Sequence, residues 1–133
     1  MRYLLDTNIW IIYLKAVETV VRQRLEQASP DEIATCSVVW AELLHGARKY
    51  ADPLQREHRI ELTLSPLANL PFDLAAARRY AYIRDYLERT GQVIGGNDLM
   101  IAAIALTHGL ILVTRNTDEF RRVPGLQVED WSV

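Results

Sequence analysis

Three acidic residues that are far apart in the sequence stand where a parallel α/β fold would bring their carboxylates together. Asp6 follows the short apolar run 3–5. Glu42 falls about a turn and a half into a predicted helix, and Asp98 opens another. In a parallel sheet the helices begin at the edge where the strands end, and such folds bind ligands at that edge. Clustered carboxylates with no matching cluster of His or Cys favour a hard cation such as Mg²⁺.

Two of the acids, taken alone, also have a structural explanation. Asp98 would serve equally well as an N-terminal cap that faces the helix dipole. Glu42 lies with His45 and Lys49 on the side opposite the apolar stripe of its helix, which by itself indicates a solvated face more often than a ligand. The presence of all three acids at one edge favours the metal site.

A further group of polar residues follows the predicted strand 110–113. Thr114 and Asn116 are expected to point into the edge that holds Asp6. Asp118 is as well placed to begin a short helical turn as to touch a metal. The sequence leaves open which of these residues completes the site.

Short apolar strands alternate with helices along the chain. Strands are predicted at 2–5, 33–36, 69–72, 110–113 and 126–129. Helices are predicted at 9–15, 17–28, 38–50, 53–64, 74–90 and 97–108. Thr7-Asn8 are predicted to cap the first helix, and Asn97 or Asp98 the last. This alternation indicates an α/β fold whose parallel sheet is covered on both faces.

The composition is that of an ordinary globular protein. A chain of 133 residues predicts one domain over 1–133. The net charge of −2 argues against a generally basic nucleic-acid-binding surface, although a local basic rim remains compatible with it. The single cysteine, Cys36, rules out an internal disulfide and is expected to be a buried hydrophobe. Asp6 interrupts the first apolar run, and no run approaches the roughly 20 residues of a membrane helix, so we expect a soluble cytoplasmic protein without a signal peptide.

Four segments in order along the chain resemble a known family. They are Leu4-Leu5-Asp6-Thr7-Asn8, Ser37-Val38-Val39-Trp40-Ala41-Glu42-Leu43, Gly96-Asn97-Asp98-Leu99-Met100-Ile101-Ala102-Ala103 and Leu112-Val113-Thr114-Arg115-Asn116. The tail 123–131 agrees with them. Together they resemble a PIN-domain ribonuclease, and more narrowly VapC, the toxin of a type II toxin–antitoxin pair. Four ordered motifs are far more specific than the first segment alone.

This resemblance implies a three-layer α/β/α domain with a central, mostly parallel sheet of about five strands. It also implies a homodimeric endoribonuclease that depends on Mg²⁺ or Mn²⁺, and a small antitoxin that blocks its active site. Asp6, Glu42 and Asp98 fall on the family's main acidic positions. The fourth position, often an aspartate, is Asn116 here, with Asp118 two residues on. Thr7 matches a small hydroxyl residue common beside the first aspartate, and Thr114 is taken as supporting.

In this interpretation one or two cations neutralise the acids, and a metal-activated water attacks the scissile phosphate. Transfer RNA is the leading substrate that the resemblance suggests. Two alternatives remain. A phosphatase with Asp6 as nucleophile usually carries a second nearby acid and a lysine, whereas Thr7-Asn8 follow Asp6 and the chain's only lysines are Lys15 and Lys49. A non-catalytic PIN-like interaction module would not need all three acids.

The three acids and an apolar surface near the N-terminal helices are expected to form a groove with a negatively charged floor. An antitoxin could place an Arg or Lys against the acids there and dock an amphipathic helix against the apolar walls. The residues predicted to line this groove are Trp10, Ile11, Leu14 and Trp40. The alternative is that these side chains fill the core, which is a strong alternative for Ile11 and Leu14.

Overall fold

The computed structural model describes residues 1–15 and 17–133. Within these ranges, five strands form one sheet: β1 (Tyr3–Leu5), β2 (Ile33–Cys36), β3 (Ala68–Leu70), β4 (Ile111–Val113) and β5 (Val128–Glu129). Their order is β3-β2-β1-β4-β5, and every neighbouring pair is parallel. Leu4 of β1 lies opposite Ala34 on one side and Leu112 on the other, so β1 is the central strand.

The same ranges contain seven α-helices: α1 (Thr7–Leu14), α2 (Val20–Gln27), α3 (Ser37–Ala47), α4 (Pro53–Leu64), α5 (Leu74–Arg89), α6 (Gly96–Thr107) and α7 (Thr117–Phe120). Parallel crossovers are right-handed. The chain moves in one direction from β1 through β2 to β3, which places α1 to α4 on one face of the sheet. It then returns past β1 to β4 and β5, which places α5 to α7 on the other face. The expected three-layer α/β/α architecture is confirmed.

The core lies along the central strands and α6. Residues 101–105 of α6 have no solvent exposure, as expected of a helix that is apolar nearly all round. Cys36 is also fully buried, and this burial raises the pKa of its thiol to about 11. The prediction that Cys36 is a buried hydrophobe is therefore confirmed.

The predicted caps at the two functional helices are wrong. α1 begins at Thr7, with Asp6 as its N-cap residue, so Thr7-Asn8 lie inside the helix. α6 begins at Gly96 after Gly95, and neither Asn97 nor Asp98 caps it. Asp98 lies within the first turn of the helix, so its carboxylate is not used for capping. β3 and β5 are shorter than predicted, and α3 ends at Ala47, before the predicted end at 50.

Among the described residues, no helix is both long enough and apolar enough to cross a bilayer.

Candidate active site

The site lies at the carboxyl edge of the sheet, between β1 and β4. The crossovers from β1 to β2 and from β3 to β4 pass over opposite faces, so this is the point where the direction of winding reverses. Open α/β sheets bind their ligands at such switch points. Asp6 directly follows β1, and its backbone N–H donates to the carbonyl of Val113 at 2.8 Å. Thr114, which follows β4, is thereby brought beside Asp6.

Asp6 is the most buried of the three acids, with 4% of its surface exposed. Its Oδ1 accepts a hydrogen bond from the backbone N–H of Thr7 at 2.8 Å, and its Oδ2 accepts one from Thr114 Oγ1 at 2.7 Å. Burial raises the pKa of this carboxyl, and it outweighs the two hydrogen bonds, which favour the ionised form. The negative charge of Glu42 raises the pKa further.

Glu42 is half-buried on α3 and is held from two sides. Thr7 Oγ1 donates to its Oε1 at 2.7 Å, and Asn97 Nδ2 donates to its Oε2 at 3.4 Å. Thr7 therefore touches two acids, Asp6 through its backbone and Glu42 through its hydroxyl. The solvated-face alternative for Glu42 does not hold, because its carboxylate is tied to residues of α1 and α6.

Asp98 is half-buried in the first turn of α6. Burial is the main cause that raises the pKa of its carboxyl to about 6, and the charges of Asp6, Glu42 and Glu119 add to it. The three acids singled out in the sequence thus act on one another electrostatically. This coupling is what the predicted arrangement at one sheet edge requires.

Glu119 is a further acid near Asp98 that the sequence analysis did not single out. It lies on α7, is half-buried, and contributes to the raised pKa of Asp98, whereas the neighbouring Asp118 is exposed. Consecutive residues of a helix point about 100° apart, so only one of two adjacent acids can face the site. The available signal in the sequence was the apolar residue Phe120, which indicates that a short helix here has an inward side, and Phe120 is indeed buried.

The hydroxyl of Thr114 connects the loop after β4 to Asp6 through two hydrogen bonds. This side chain is fully buried, and its oxygen accepts a hydrogen bond from the backbone N–H of Asn116 at 3.0 Å while its proton goes to Asp6. The side-chain amide of Asn116 makes no hydrogen bond with the other described residues. Thr114 therefore lies at the edge that holds Asp6, as predicted, and is hydrogen-bonded to it. The side chain of Asn116 remains available for another contact.

The residues present suit a hard divalent cation that keeps part of its water shell. Among residues 1–15 and 17–133, no group of three or more His, Cys, Asp or Glu side chains is arranged so that it could hold a metal ion by itself. Mg²⁺ does not need such a group, because it is usually bound through one or two carboxylates together with waters and substrate phosphates. The site offers only oxygen donors, which fits that pattern.

Comparison with known proteins agrees with the fold. A family model described as the PIN domain matches residues 3–126. The chain therefore belongs to the PIN-domain family.

Within that family, similar proteins include VapC ribonucleases. The tRNA(fMet)-specific endonuclease VapC of Shigella flexneri is 41% identical over 132 residues, which cover 99% of both chains. Ribonuclease VapC2 of Rickettsia felis is 36% identical and covers 98% of both. Among solved structures, the DNA-bound VapBC of Salmonella typhimurium has a TM-score of 0.91 at 35% identity, with 98% of both chains covered. VapBC-1 of nontypeable Haemophilus influenzae has a TM-score of 0.87 at 32% identity over the whole of both chains.

Proposed function

We propose that this protein is a metal-dependent endoribonuclease and the toxin of a type II toxin–antitoxin pair, acting as a single PIN domain over 1–133 in the cytoplasm. The observation that supports it most is the convergence of the acids at the switch point of the sheet: Thr7 bonds to both Asp6 and Glu42, and Asn97, beside Asp98, bonds to Glu42. Burial also raises the pKa of Asp98, and groups with perturbed pKa values cluster at functional sites. The VapC relatives are named as ribonucleases, which points to the same activity.

Asp6, Asp98 and Glu42 would hold the cation, Mg²⁺ or, because the donors are all oxygens, Mn²⁺. When bound, the ion acidifies a water and offsets the charge that builds on the phosphate. Thr114 and Thr7 fix the directions of the Asp6 and Glu42 carboxylates, because each hydroxyl donates to one of them at 2.7 Å. No Ser or Cys nucleophile is required, which agrees with the burial of Cys36.

The fourth group at the site is expected to be Glu119 or Asn116 and not Asp118. The negative charge of Glu119 contributes to the raised pKa of Asp98, and the side-chain amide of Asn116 makes no hydrogen bond with the other described residues. Asp118, in contrast, is exposed. We expect Glu119→Gln and Asn116→Ala to raise the Mg²⁺ concentration needed for half-maximal cleavage by roughly 10-fold or more, in the range of supporting residues at metal sites. Asp118→Ala should change it little. A Mg²⁺ titration of activity in the three variants checks this, and a larger shift for Asp118→Ala than for the other two would assign the role to Asp118.

The proposed substrate is a structured RNA, and we would test initiator transfer RNA first. The Shigella flexneri relative is named as an endonuclease specific for this RNA and matches nearly the whole chain. The fold and the acids account for the hydrolysis of a phosphodiester bond, but they do not determine which base sequence is cut. Sequencing the 5′ ends of RNA after brief induction of the protein would identify the cleaved bond.

The proposed protein partner is a small antitoxin, because the similar solved structures are VapBC complexes. Helices α1, α2 and α4 border an apolar groove of about 380 Å³. Its lining includes Trp10, Tyr13, Leu25, Ala28, Leu62 and Leu67. Trp10 and Leu14, both predicted to line a docking groove, are each 1% exposed and belong to the core, although Trp10 also forms part of this lining. Ile11 and Trp40 lie outside this lining, and the predicted docking groove stays a prediction.

One property of the groove suits an amphipathic helix of a partner. Leu62, in its lining, is 63% exposed, so a helix that covered it would remove this apolar surface from water.

A second surface suits the proposed homodimer. An apolar groove of about 670 Å³ runs along α5 and is closed by Leu106 and Pro124. Tyr82 stands in it with 81% of its surface exposed, beside Ile83 and Tyr86. Exposed aromatic residues of this kind are typical anchors of protein interfaces.

We expect Tyr82→Asp to weaken the homodimer at least about 30-fold, the loss that corresponds to roughly 2 kcal/mol for a central aromatic anchor. Light scattering of the purified protein over a dilution series would measure the change. Leu54→Asp is the matched control, because Leu54 is 72% exposed on α4, which covers the other face of the sheet. Equal masses for wild type and Tyr82→Asp at every concentration would rule out this surface.

One set of experiments separates the proposed function from its alternatives. Expression of the wild-type protein is expected to arrest growth, and co-expression of the small protein encoded beside it should restore growth through a stable complex. The purified protein should cut RNA only when Mg²⁺ or Mn²⁺ is present. A phosphatase would release phosphate without cutting RNA, and an interaction module would do neither. Normal growth with abundant soluble protein and no RNA cleavage would overturn the proposal.

A further inference from the structure

The proposed chemistry does not by itself distinguish RNA from DNA. The attacking water and the acids act on a phosphodiester, which both nucleic acids contain. The ribose 2′-hydroxyl takes no part in such a hydrolysis. A preference for RNA must therefore come from a contact to that hydroxyl or to the shape of the RNA. This question rests on the proposed ribonuclease function.

The 2′-hydroxyl both donates and accepts hydrogen bonds, so a neutral amide is a suitable partner for it. Asn97 is such a group. It is exposed, it precedes Asp98 in the first turn of α6, and its Nδ2 lies 3.4 Å from Glu42 Oε2. Since a carboxylate can only accept, the amide nitrogen must face Glu42, and the amide oxygen faces away. This oxygen has no hydrogen-bond partner among the described residues.

Other short polar side chains at the edge are already engaged. The side-chain oxygen of Asn8 accepts from the backbone N–H of Arg115 at 3.3 Å. The hydroxyls of Thr7 and Thr114 donate to Glu42 and Asp6. Asn116 has a free amide but is half-buried. Asn97 thus combines exposure, an unused acceptor and an anchor on a site acid.

We propose that Asn97 recognises the 2′-hydroxyl of a nucleotide beside the scissile phosphate and thereby selects RNA over DNA. Its 3.4 Å contact to Glu42 is long for a hydrogen bond. It orients the amide while leaving one N–H and the oxygen available to the ribose. Glu42 is a firm support, because Thr7 holds its other oxygen at 2.7 Å.

The test pairs a change in the protein with the removal of one hydroxyl from the RNA. Once the cut in initiator transfer RNA is mapped, the RNA is synthesised with a single 2′-deoxy nucleotide on either side of the cut. For the wild-type protein with Mg²⁺, one of these changes is expected to lower kcat/KM by about 10- to 100-fold, the usual range for leaving a polar group unpaired. In Asn97→Ala the same change should cost less than about 2-fold.

This double-mutant cycle separates recognition from positioning. If Asn97 only orients Glu42, Asn97→Ala slows the cleavage of both RNAs equally and the two effects multiply. That result would overturn the inference. Asn69→Ala is the matched control: Asn69 is another exposed amide, bonded to Ser37 Oγ at 3.2 Å, and its variant should keep the full sensitivity to the missing hydroxyl.

Three further outcomes are decisive. Loss of the hydroxyl effect in Asn116→Ala but not in Asn97→Ala would move the contact to Asn116 and overturn the assignment. Failure of the wild-type protein to cut any RNA with Mg²⁺ present would instead overturn the proposed function, and this inference with it. Cleavage of RNA and of the 2′-deoxy substrates at equal rates would overturn the inference alone.

Discussion

Asp6→Asn and Asp98→Asn are each expected to abolish RNA cleavage while leaving the fold intact. Each change removes a carboxylate that the cation needs, and several kcal/mol of transition-state stabilisation correspond to a loss of at least about 10³-fold in rate. The amide of Asn has nearly the shape of the carboxylate. At position 6 it can still accept from the N–H of Thr7 and can donate to Thr114. Glu42→Gln should be similarly damaging.

Cleavage rates at saturating Mg²⁺, together with thermal unfolding of the metal-free proteins, check this prediction. Because both changes relieve repulsion between acids, the metal-free variants should be at least as stable as the wild type. Asp118→Asn removes the same charge at an exposed position of the same edge and serves as the control. Near wild-type cleavage by either Asp6→Asn or Asp98→Asn would remove that acid from the active site.

Acidification is expected to remove activity below about pH 6, where the carboxyl of Asp98 takes up a proton. A protonated carboxyl binds a cation poorly, so at subsaturating Mg²⁺ the rate should fall about tenfold for each pH unit below this value. The drop should weaken as the Mg²⁺ concentration rises, because the ion and the proton compete. A drop that is the same at all Mg²⁺ concentrations would contradict this explanation.

The contribution of Asp98 to the stability of the metal-free protein should decrease as the pH rises, whereas the activity should increase. The folded protein holds the Asp98 proton up to about pH 6, against an ordinary value of 3.8 for Asp. This contribution to the free energy of unfolding is fully present below 3.8 and is lost as the pH rises through 6. Compared with Asp98→Asn, the metal-free wild type should therefore lose stability between about pH 4 and pH 7. Chemical unfolding of both proteins across this range measures the difference. If the difference in the free energy of unfolding between the two proteins did not change with pH, the pKa of Asp98 would not be raised in the folded protein.

The sequence alone determined the architecture and the three acids. Short apolar strands alternating with helices can bury their backbones only as a parallel sheet covered on both faces, and such a sheet collects strand ends and helix starts at one edge. That geometry predicted, from the positions of the elements alone, that Asp6, Glu42 and Asp98 would lie at the same edge of the sheet. The apolar sequence of 99–106 likewise predicted a buried helix, and 101–105 are fully buried.

The tertiary structure decided how the acids are held and which neighbours act on them. The bonds from Thr7 to Glu42 and from Thr114 to Asp6 join positions 35 and 108 residues apart in the sequence. No local pattern specifies such pairings, because they depend on the packing of separate elements. The choice between Asp118 and Glu119 depends on the rotation of a four-residue helix, which periodicity over so short a segment does not determine. The cap of α6 falls on Gly95, a residue with no side chain to signal it, and this leaves Asp98 for the site.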